Sequence, residues 1–405
     1  MTAIAGQLHY DDGRARRNAV ILALGQALYS SATIIMFTTA GLVGVQIAPA
    51  KGWATLPISA FVVGTALSTV PASLLMRKIG RKPGFILGAF AGLLGALIGV
   101  YAIFQRDFAL FILCTFLQGI FQAFIQHSRF AAADMASPAF RAKAISWVMT
   151  GGMAAAIFGT LLVMATTDLM APVTFAGCYA AMAALCAVAM AVLGFLDIPD
   201  RPQSVAARSG RPLAIILRQP RFLVAVIAAT ISYGMMNLVM TASPIAMGDC
   251  GLSYTAASWA IQWHVLAMFA PSFFTGHIIA RFGAERVSAI GLTLLALAAA
   301  TAIAGVKFEN FAIGLVLLGL GWNFGFIGGT TLLTQCYEPA EASKVQAFND
   351  FAVFATVAGA SFLSGQLLAS LGWISVNIAV FPLVFAALVL IGWLALRRPS
   401  PQAIG

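Results

Sequence analysis

The sequence is dominated by long apolar blocks that short polar intervals separate. Each block holds about 20 mostly apolar residues, the length that an α-helix needs to cross about 30 Å of hydrocarbon. The membrane strands of an outer-membrane barrel would instead be shorter and would alternate in polarity. The blocks predict twelve spans, numbered in chain order, at residues 18–41, 54–76, 84–104, 108–130, 145–166, 172–196, 222–247, 254–280, 287–306, 311–335, 347–369 and 374–396. We therefore expect an all-α membrane protein with twelve transmembrane helices.

Composition and charge placement agree with this prediction. Of the 405 residues, 61% are hydrophobic and 9% are charged, whereas about 25% of the residues in a soluble domain are charged. The net charge is +10, and only Lys51, Arg106 and Lys307 of the 23 Lys and Arg residues fall on the membrane side opposite the two termini. This asymmetry follows the positive-inside rule. We expect cytoplasmic N- and C-termini, contact with the lipid bilayer and no nucleic-acid partner.

The sequence carries no recognisable enzymatic or metal-binding motif. Its five cysteines are scattered without metal-ligand spacing, and it has neither a His-Glu-x-x-His motif nor a Gly-rich phosphate loop. We expect no enzyme activity, no catalytic residues, no metal and no cofactor.

The longest polar interval divides the chain into two sets of six spans. It predicts a tail at 1–17, a first half at 18–196, a linker at 197–221, a second half at 222–396 and a tail at 397–405. The loop after span 2 reads RKIGRK and the loop after span 8 reads ARFGAE, with Gly80 and Gly283 in equivalent places. Spans 4 and 10 open with the similar triplets DFA and NFA. These matches indicate two halves that repeat in parallel.

The loop after span 2 resembles the signature loop of the major facilitator superfamily of secondary transporters. That signature runs Gly-x-Leu-Ala-Asp-Arg-x-Gly-Arg-Lys, and here Leu75, Lys78 and the Gly80-Arg81-Lys82 triplet match it, while Arg77 replaces the Asp. The second copy keeps Gly276, Arg281 and Gly283 and also lacks the acid. The resemblance implies twelve helices in two six-helix halves, related by a pseudo-two-fold axis along the membrane normal, with a substrate site between them near the midplane. It also implies a carrier that works as a monomer.

Polar residues inside the spans form stripes at helical spacing. A polar side chain facing lipid is costly, so a stripe of them indicates a face turned toward protein or a water-filled cavity. The resemblance implies that spans 1, 4, 7 and 10 line this cavity, and these spans carry stripes, while span 8 adds a dense aromatic and amide patch. The candidate substrate-binding residues are Gln26, Tyr29, Thr33, Gln118, Gln122, Tyr233, Asn237, Trp259, Gln262, Trp263, His264, Trp322, Asn323 and Phe326.

Ionisable residues within or beside the spans are few. His264, Asp350, Arg129 and Asp134 are the candidates for proton coupling or gating, since a proton relay needs a carboxylate or a histidine. Single polar residues of this kind also serve as hydrogen-bonding contacts between membrane helices. Either role is open for each residue.

The predicted lining is rich in amides and aromatic rings and poor in charge, which favours a planar, mostly neutral solute. Aromatic faces stack on such a ring system, while Gln and Asn pair with its polar edge. The segments from His127 to Trp147, from Arg211 to Met247 and from Ile261 to Gly276 resemble a bacterial inner-membrane branch of the superfamily near its riboflavin importers. The resemblance implies riboflavin, or a similar planar vitamin, as substrate.

An efflux carrier for drugs or metabolites, coupled to protons, is the alternative. Proton-driven exporters of the superfamily carry Arg-x-x-Gln-Gly in span 4, and this chain keeps Gln118-Gly119 but has Thr115 in place of the Arg. The incomplete signature favours uptake of a neutral solute.

Overall fold

A computed structural model describes residues 12–198, 210–338 and 341–396. The predicted tail at 397–405 and the linker residues 199–209 lie outside the described residues, as do the first eleven residues of the predicted N-terminal tail. The α-helices in the described ranges are α1 (Asp12–Ile47), α2 (Leu56–Ile79), α3 (Arg81–Gln105), α4 (Phe108–Ile125), α5 (Ser128–Met135), α6 (Pro138–Thr166), α7 (Ala176–Leu193), α8 (Leu213–Leu217), α9 (Pro220–Asp249), α10 (Tyr254–Phe269), α11 (Ser272–Phe282), α12 (Ala284–Ile303), α13 (Phe308–Thr334), α14 (Ala342–Ile378) and α15 (Val380–Leu396). The all-α prediction is confirmed.

The predicted spans correspond to these helices in order. Spans 1–3 are α1–α3, span 4 is α4 with α5 beyond it, spans 5 and 6 are α6 and α7, span 7 is α9, and span 8 is α10 with α11. Spans 9 and 10 are α12 and α13, span 11 is α14 up to Gly372, and span 12 is the rest of α14 with α15. Among the described residues, nine helical segments are long and apolar enough to cross a membrane, and the bent pair α10–α11 makes a tenth. The apolar stretch Thr150–Thr166 of α6 is too short to be among the nine. The stretch Lys344–Leu396, with 53 residues, is one of the nine segments. A helix of that length would measure about 80 Å, so this stretch holds two crossings.

Two of the following three boundaries differ from the sequence prediction. Span 8 breaks between α10 and α11, which meet at 44°, because Pro271 cannot continue the hydrogen-bond ladder. The boundary between spans 11 and 12 lies at Gly372, within the predicted interval 370–373, and its φ of 79° and ψ of 179° are not helical. Span 4 ends as a regular helix at Ile125, a turn earlier than expected, and the chain continues into α5.

Helix ends follow from local sequence. Asp107, Ser137 and Ser253 cap α4, α6 and α10 by accepting hydrogen bonds from backbone N–H groups three residues ahead. Gly80 ends α2 and Gly283 ends α11, with φ of 88° and 87°, which glycine adopts without strain. The two copies of the loop therefore share one backbone conformation, as their sequence repetition indicates.

The helices pack into two hydrophobic cores. One core consists mainly of side chains between Ala15 and Leu196, and the other mainly of side chains between Ile216 and Ile391. Phe37, Tyr233 and Phe326 pack against both cores. These three aromatic rings therefore lie where the two sets of helices meet.

We name the two ends of the bundle by the residues found there. The linker end carries the start of α1, the α2–α3 turn and α8, while the far end carries the 3-10 turn Lys51–Trp53 and the end of α9. At the linker end, Arg211 pairs with the buried Glu341 through its Nε and Nη2 atoms, both at 2.8 Å. These bonds hold the pKa of the Glu341 carboxyl down at about 2. They attach the described end of the linker to the start of α14.

Candidate functional site

The polar stripes of α1 and α4 face away from the outer surface of the bundle. On α1, Gln26, Ser30 and Thr33 are half-buried, whereas Val20 and Leu24 on another face are 48% and 51% exposed. On α4, Gln122 is half-buried and Leu113, on the opposite face, is exposed. In a membrane protein the exposed apolar face meets lipid, so each polar stripe faces the interior.

An aromatic wall covers the corresponding inner face of the second half. The Trp322 and Phe326 rings of α13 stack at a centroid distance of 5.4 Å and an angle of 13°. Tyr233 of α9 meets both rings edge-on, at 5.3 Å and 5.2 Å. Phe269 of α10 meets Trp322 at 5.9 Å. We call these four residues the aromatic wall.

Tyr29 joins the first half to this wall. Its hydroxyl donates a hydrogen bond to the Oε1 atom of Gln122, and its ring packs edge-on against Phe121 at 4.8 Å. Tyr29 belongs to the first core, and Tyr233 and Phe326 of the second half pack against that core. Tyr29, Gln122, Tyr233, Trp322 and Phe326, all predicted from sequence, therefore come together, and we call them the central cluster. Every member is uncharged.

Other candidates use their polar atoms within one half. The Gln118 amide donates to the Gly92 carbonyl at 2.7 Å. Asn323 is fully buried and bonds Met268, Ser272 and Thr275 at 2.6–2.7 Å. These bonds hold the broken span 8 against α13. Asn323 therefore makes a contact between helices, the alternative role that the sequence analysis gave for single polar residues.

Span 8 separates its candidates onto different faces. Trp259 and Trp263 are 40% and 52% exposed and lie apart from the central cluster. His264 is fully buried, with its Nδ1 atom 2.8 Å from the Leu315 carbonyl oxygen. The Gln262 side chain is buried, and its Oε1 atom has no hydrogen-bond partner among the described residues.

Asn237 connects the two crossings α9 and α14. Its amide nitrogen donates to the Ser361 hydroxyl and to the Val357 carbonyl. It lies one helical turn from Tyr233, toward the far end. It is thus next to the central cluster, with its amide donors bonded to α14.

The candidates for coupling or gating lie near the linker end, except for His264. Arg129 lies on α5 and Asp350 lies near the start of α14. They belong to different halves. The side chain of Asp134 lies outside the described residues. The roles predicted for these four residues stay predictions.

The sequence prediction missed two residues of this region. Phe269 belongs to the aromatic wall, and Ser128 donates to the Gln26 Oε1 atom at 3.2 Å. Phe269 follows Gln262 by two helical turns on the same face, so its position could have been inferred from spacing. Ser128 lies beyond the break after α4, where helical periodicity no longer predicts direction.

At the far end, the two halves touch through a set of contacts that we call the far-end seal. The Lys51 ammonium pairs with the Asp249 carboxylate at 2.8 Å, and the Gln366 amide donates to the Gly52 carbonyl at 3.0 Å. The Thr55 hydroxyl donates to the Ser361 carbonyl at 2.7 Å. Two edge-on ring pairs, Trp53 with Phe362 and Phe175 with Tyr254, complete the seal.

Comparison with known proteins places these features in context. The family model of the Major Facilitator Superfamily matches this chain twice, at residues 19–235 and at residues 225–404. The chain is 46% identical over 395 residues to the riboflavin transporter RfnT of Brucella anthropi, covering 97% of this chain and 99% of that protein. It is 29% identical to the uncharacterised transporter YdeG of Bacillus subtilis, over 90% of this chain and 88% of YdeG. Among solved structures, the nucleoside transporter NupG superposes with a TM-score of 0.70 at 13% identity, covering 96% of this chain and 100% of NupG.

Proposed function

Because this chain belongs to the Major Facilitator Superfamily, we propose that it is a secondary transporter that takes up riboflavin, or a planar vitamin of similar chemistry, by alternating access. The observation that carries the substrate is the 46% identity to a riboflavin transporter along almost the full length of both chains. The central cluster supports the same substrate on physical grounds.

Riboflavin combines a flat fused ring, a pyrimidine edge with N–H and C=O groups, and a hydroxylated tail, and it is neutral at pH 7. Aromatic side chains bind such a ring by offset stacking or edge contacts. The aromatic wall offers both geometries, since Trp322 and Phe326 are parallel and Tyr233 is nearly perpendicular to them. Gln122 supplies amide donors and an acceptor for polar edges. The uncharged central cluster avoids burying an unpaired charge against a neutral solute.

Alternating access requires that one end of the site close while the other opens. The far-end seal supports an arrangement in which the far end is closed, because salt-bridge, hydrogen-bond and aromatic contacts join the halves there. We propose that the two hydrophobic cores correspond to the two bodies that rock about the central cluster. Breaking the far-end seal would then admit substrate from that side.

The same reasoning sets the orientation in the membrane. We propose a bacterial inner-membrane protein with its linker end in the cytoplasm, because the basic residues of the sequence concentrate there. The far end then faces outward, toward the source of an imported vitamin. Both halves of the proposed site come from one chain, which supports a functional monomer.

Uptake of labelled riboflavin tests the proposal. The chain is expressed in a bacterial strain that lacks riboflavin synthesis and its own importer, and initial uptake is measured against concentration. We expect saturable uptake and growth on low riboflavin. Phe326→Leu removes one stacked ring and should weaken apparent affinity about 2- to 10-fold, because an aromatic pair contributes about 0.5–1.5 kcal/mol beyond area burial.

Phe385→Leu is the matched control, since Phe385 is 68% exposed on α15. It should leave riboflavin uptake unchanged. The proposal fails if expression produces no saturable riboflavin uptake. Lower riboflavin accumulation together with resistance to toxic compounds would instead support the efflux alternative.

A further inference from the structure

The first half carries uncharged polar groups within and beside the central cluster, three of which are hydrogen-bonded to one another. The Gln26 amide donates to the Ser30 hydroxyl at 3.1 Å, and the Ser128 hydroxyl donates to the Gln26 carbonyl oxygen at 3.2 Å. Gln122 accepts a hydrogen bond from Tyr29, but its Nε2 group donates to no other described residue. We call Gln26, Ser30, Gln122 and Ser128 the polar ladder.

The polar ladder has unused hydrogen-bonding capacity. A glutamine amide has two donors and a carbonyl with two lone pairs, and a serine hydroxyl both donates and accepts. The bonds within the ladder use only part of this capacity. Gln26, Ser30 and Gln122 are half-buried, so a small solute in the interior can reach them.

There is also room next to the ladder. Gly152 of α6 faces Ser30, and a methyl group placed on Gly152 would have only the Ser30 hydroxyl within 4 Å among the described residues, at 3.9 Å. Its neighbour Gly151 has no such room, because a methyl group there would come within 2.3 Å of the Ala23 carbonyl oxygen. The open space is therefore specific to the side of α6 that faces Ser30.

The two halves thus offer different chemistry to one solute. The second half presents the aromatic wall, and the first half presents hydroxyls and amides over about 10 Å of α1, from Gln26 to Thr33. A fused aromatic ring gains most from the wall. A chain of hydroxyl groups gains most from the ladder, where each hydroxyl can both donate and accept.

We propose that the transporter divides its substrate between the halves, with the aromatic wall holding the fused ring and the polar ladder recognising the hydroxylated tail. This inference rests on the proposed function, since it assumes a flavin substrate. It makes Gln26 and Ser30 the residues that distinguish riboflavin from flavins without a hydroxylated tail. Gly152 provides the space in which the tail lies.

The test compares riboflavin with lumiflavin, which has the same ring but a methyl group in place of the tail. Dissociation constants are measured with the detergent-purified full chain by flavin fluorescence. The unmodified protein should bind riboflavin more tightly than lumiflavin. Gln26→Met keeps the side-chain length and removes the amide, so riboflavin should bind about 2- to 10-fold more weakly for each hydrogen bond lost, with lumiflavin unaffected.

Three further variants make the comparison specific. Gly152→Val fills the open space and should weaken riboflavin selectively. Phe326→Leu should weaken both flavins by the same factor, because both share the ring. Gln105→Met is the matched control, since Gln105 is exposed at the end of α3, and it should change neither ligand. Melting temperatures without ligand verify that each variant is folded.

The outcomes separate the inference from the proposed function. If the unmodified protein binds neither flavin, the proposed function fails and the inference fails with it. If it binds riboflavin but folded Gln26→Met and Gly152→Val weaken both flavins equally, or neither, the division of the substrate is wrong while the function stands. Loss of riboflavin preference in either variant supports the inference.

Discussion

Replacing Gly365 by alanine should open the far-end seal. Gly365 of α14 lies against the first half, and a methyl group there would come within 2.4 Å of the Thr55 hydroxyl oxygen and 2.9 Å of the Gly52 carbonyl oxygen. Both distances are shorter than a van der Waals contact. The Thr55 hydroxyl is itself bonded to the Ser361 carbonyl, so it cannot move away without losing that bond. The added methyl group therefore acts as a wedge between the halves.

The size of the effect follows from the cost of overpacking. An extra methyl group in a well-packed contact costs about 1–3 kcal/mol. The overlap exists only while the halves touch at the far end, so opening that end relieves it. The ratio of open to closed protein should then rise about 5- to 150-fold. Gly359→Ala is the matched control on the same helix, because a methyl group there meets nothing within 4 Å among the described residues.

A cysteine reporter measures the opening. Ser59 of α2 is buried one turn beyond Thr55, on the same face, and Ser59→Cys changes one atom. Cys250 is the exposed cysteine among the described residues and is replaced by alanine. A maleimide that cannot cross membranes, added to intact cells, should label Cys at position 59 several-fold faster in the presence of Gly365→Ala than with Gly359→Ala. Equal labelling rates in two folded variants would refute the wedge.

Three other predictions concern stability. The bonds from Arg211 hold the pKa of Glu341 at about 2, below its ordinary 4.5, so this contact stabilises the protein above about pH 4.5 and the stabilisation is lost as the pH falls toward 2. Glu341→Gln should flatten this part of a plot of melting temperature against pH, and an unchanged slope would contradict the assignment. Gly151→Ala should destabilise the folded protein by about 1–3 kcal/mol through overpacking, while Gly152→Ala should have little effect. Thermal unfolding of the two variants checks this, and equal melting temperatures would contradict the close packing at Gly151. Asn323→Leu should cost about 1–3 kcal/mol, because it leaves buried partners without hydrogen bonds, and a melting temperature equal to that of the unmodified protein would exclude this role.

The fold was predictable because a bilayer imposes a length and a polarity on each crossing. The sequence also placed Gly80 and Gly283 at equivalent positions of a repeat, and the two glycines have nearly the same positive φ. The break in span 8 was harder to infer. Pro271 interrupts a continuous apolar stretch, and hydropathy does not respond to a change in chain direction within such a stretch.

The site was predictable only as a set of helix faces. Helical spacing places Gln118 and Gln122 on one face of α4, yet the first bonds the Gly92 carbonyl and the second meets Tyr29 at the interface. Trp263 and Trp322 both stand next to polar residues in the sequence, but Trp263 is exposed and Trp322 is buried. Which face of a helix meets lipid, its own half or the other half depends on packing between distant segments. A single sequence does not contain that information in its local spacing.

The geometry also explains how the central cluster and the far-end seal can respond to each other. Ser361 is the shared element, because its carbonyl accepts from Thr55 of the seal and its hydroxyl accepts from Asn237. Asn237 lies one turn from Tyr233 on α9, and Tyr233 packs against both cores. In the proposed transport cycle, a shift of Tyr233 on substrate binding would move the turn that carries Asn237, and Ser361 would pass that movement to Thr55. A polar residue that sequence spacing assigns to the substrate thus has a second physical use, which is to hold the helix of the site in register with the helix of the seal.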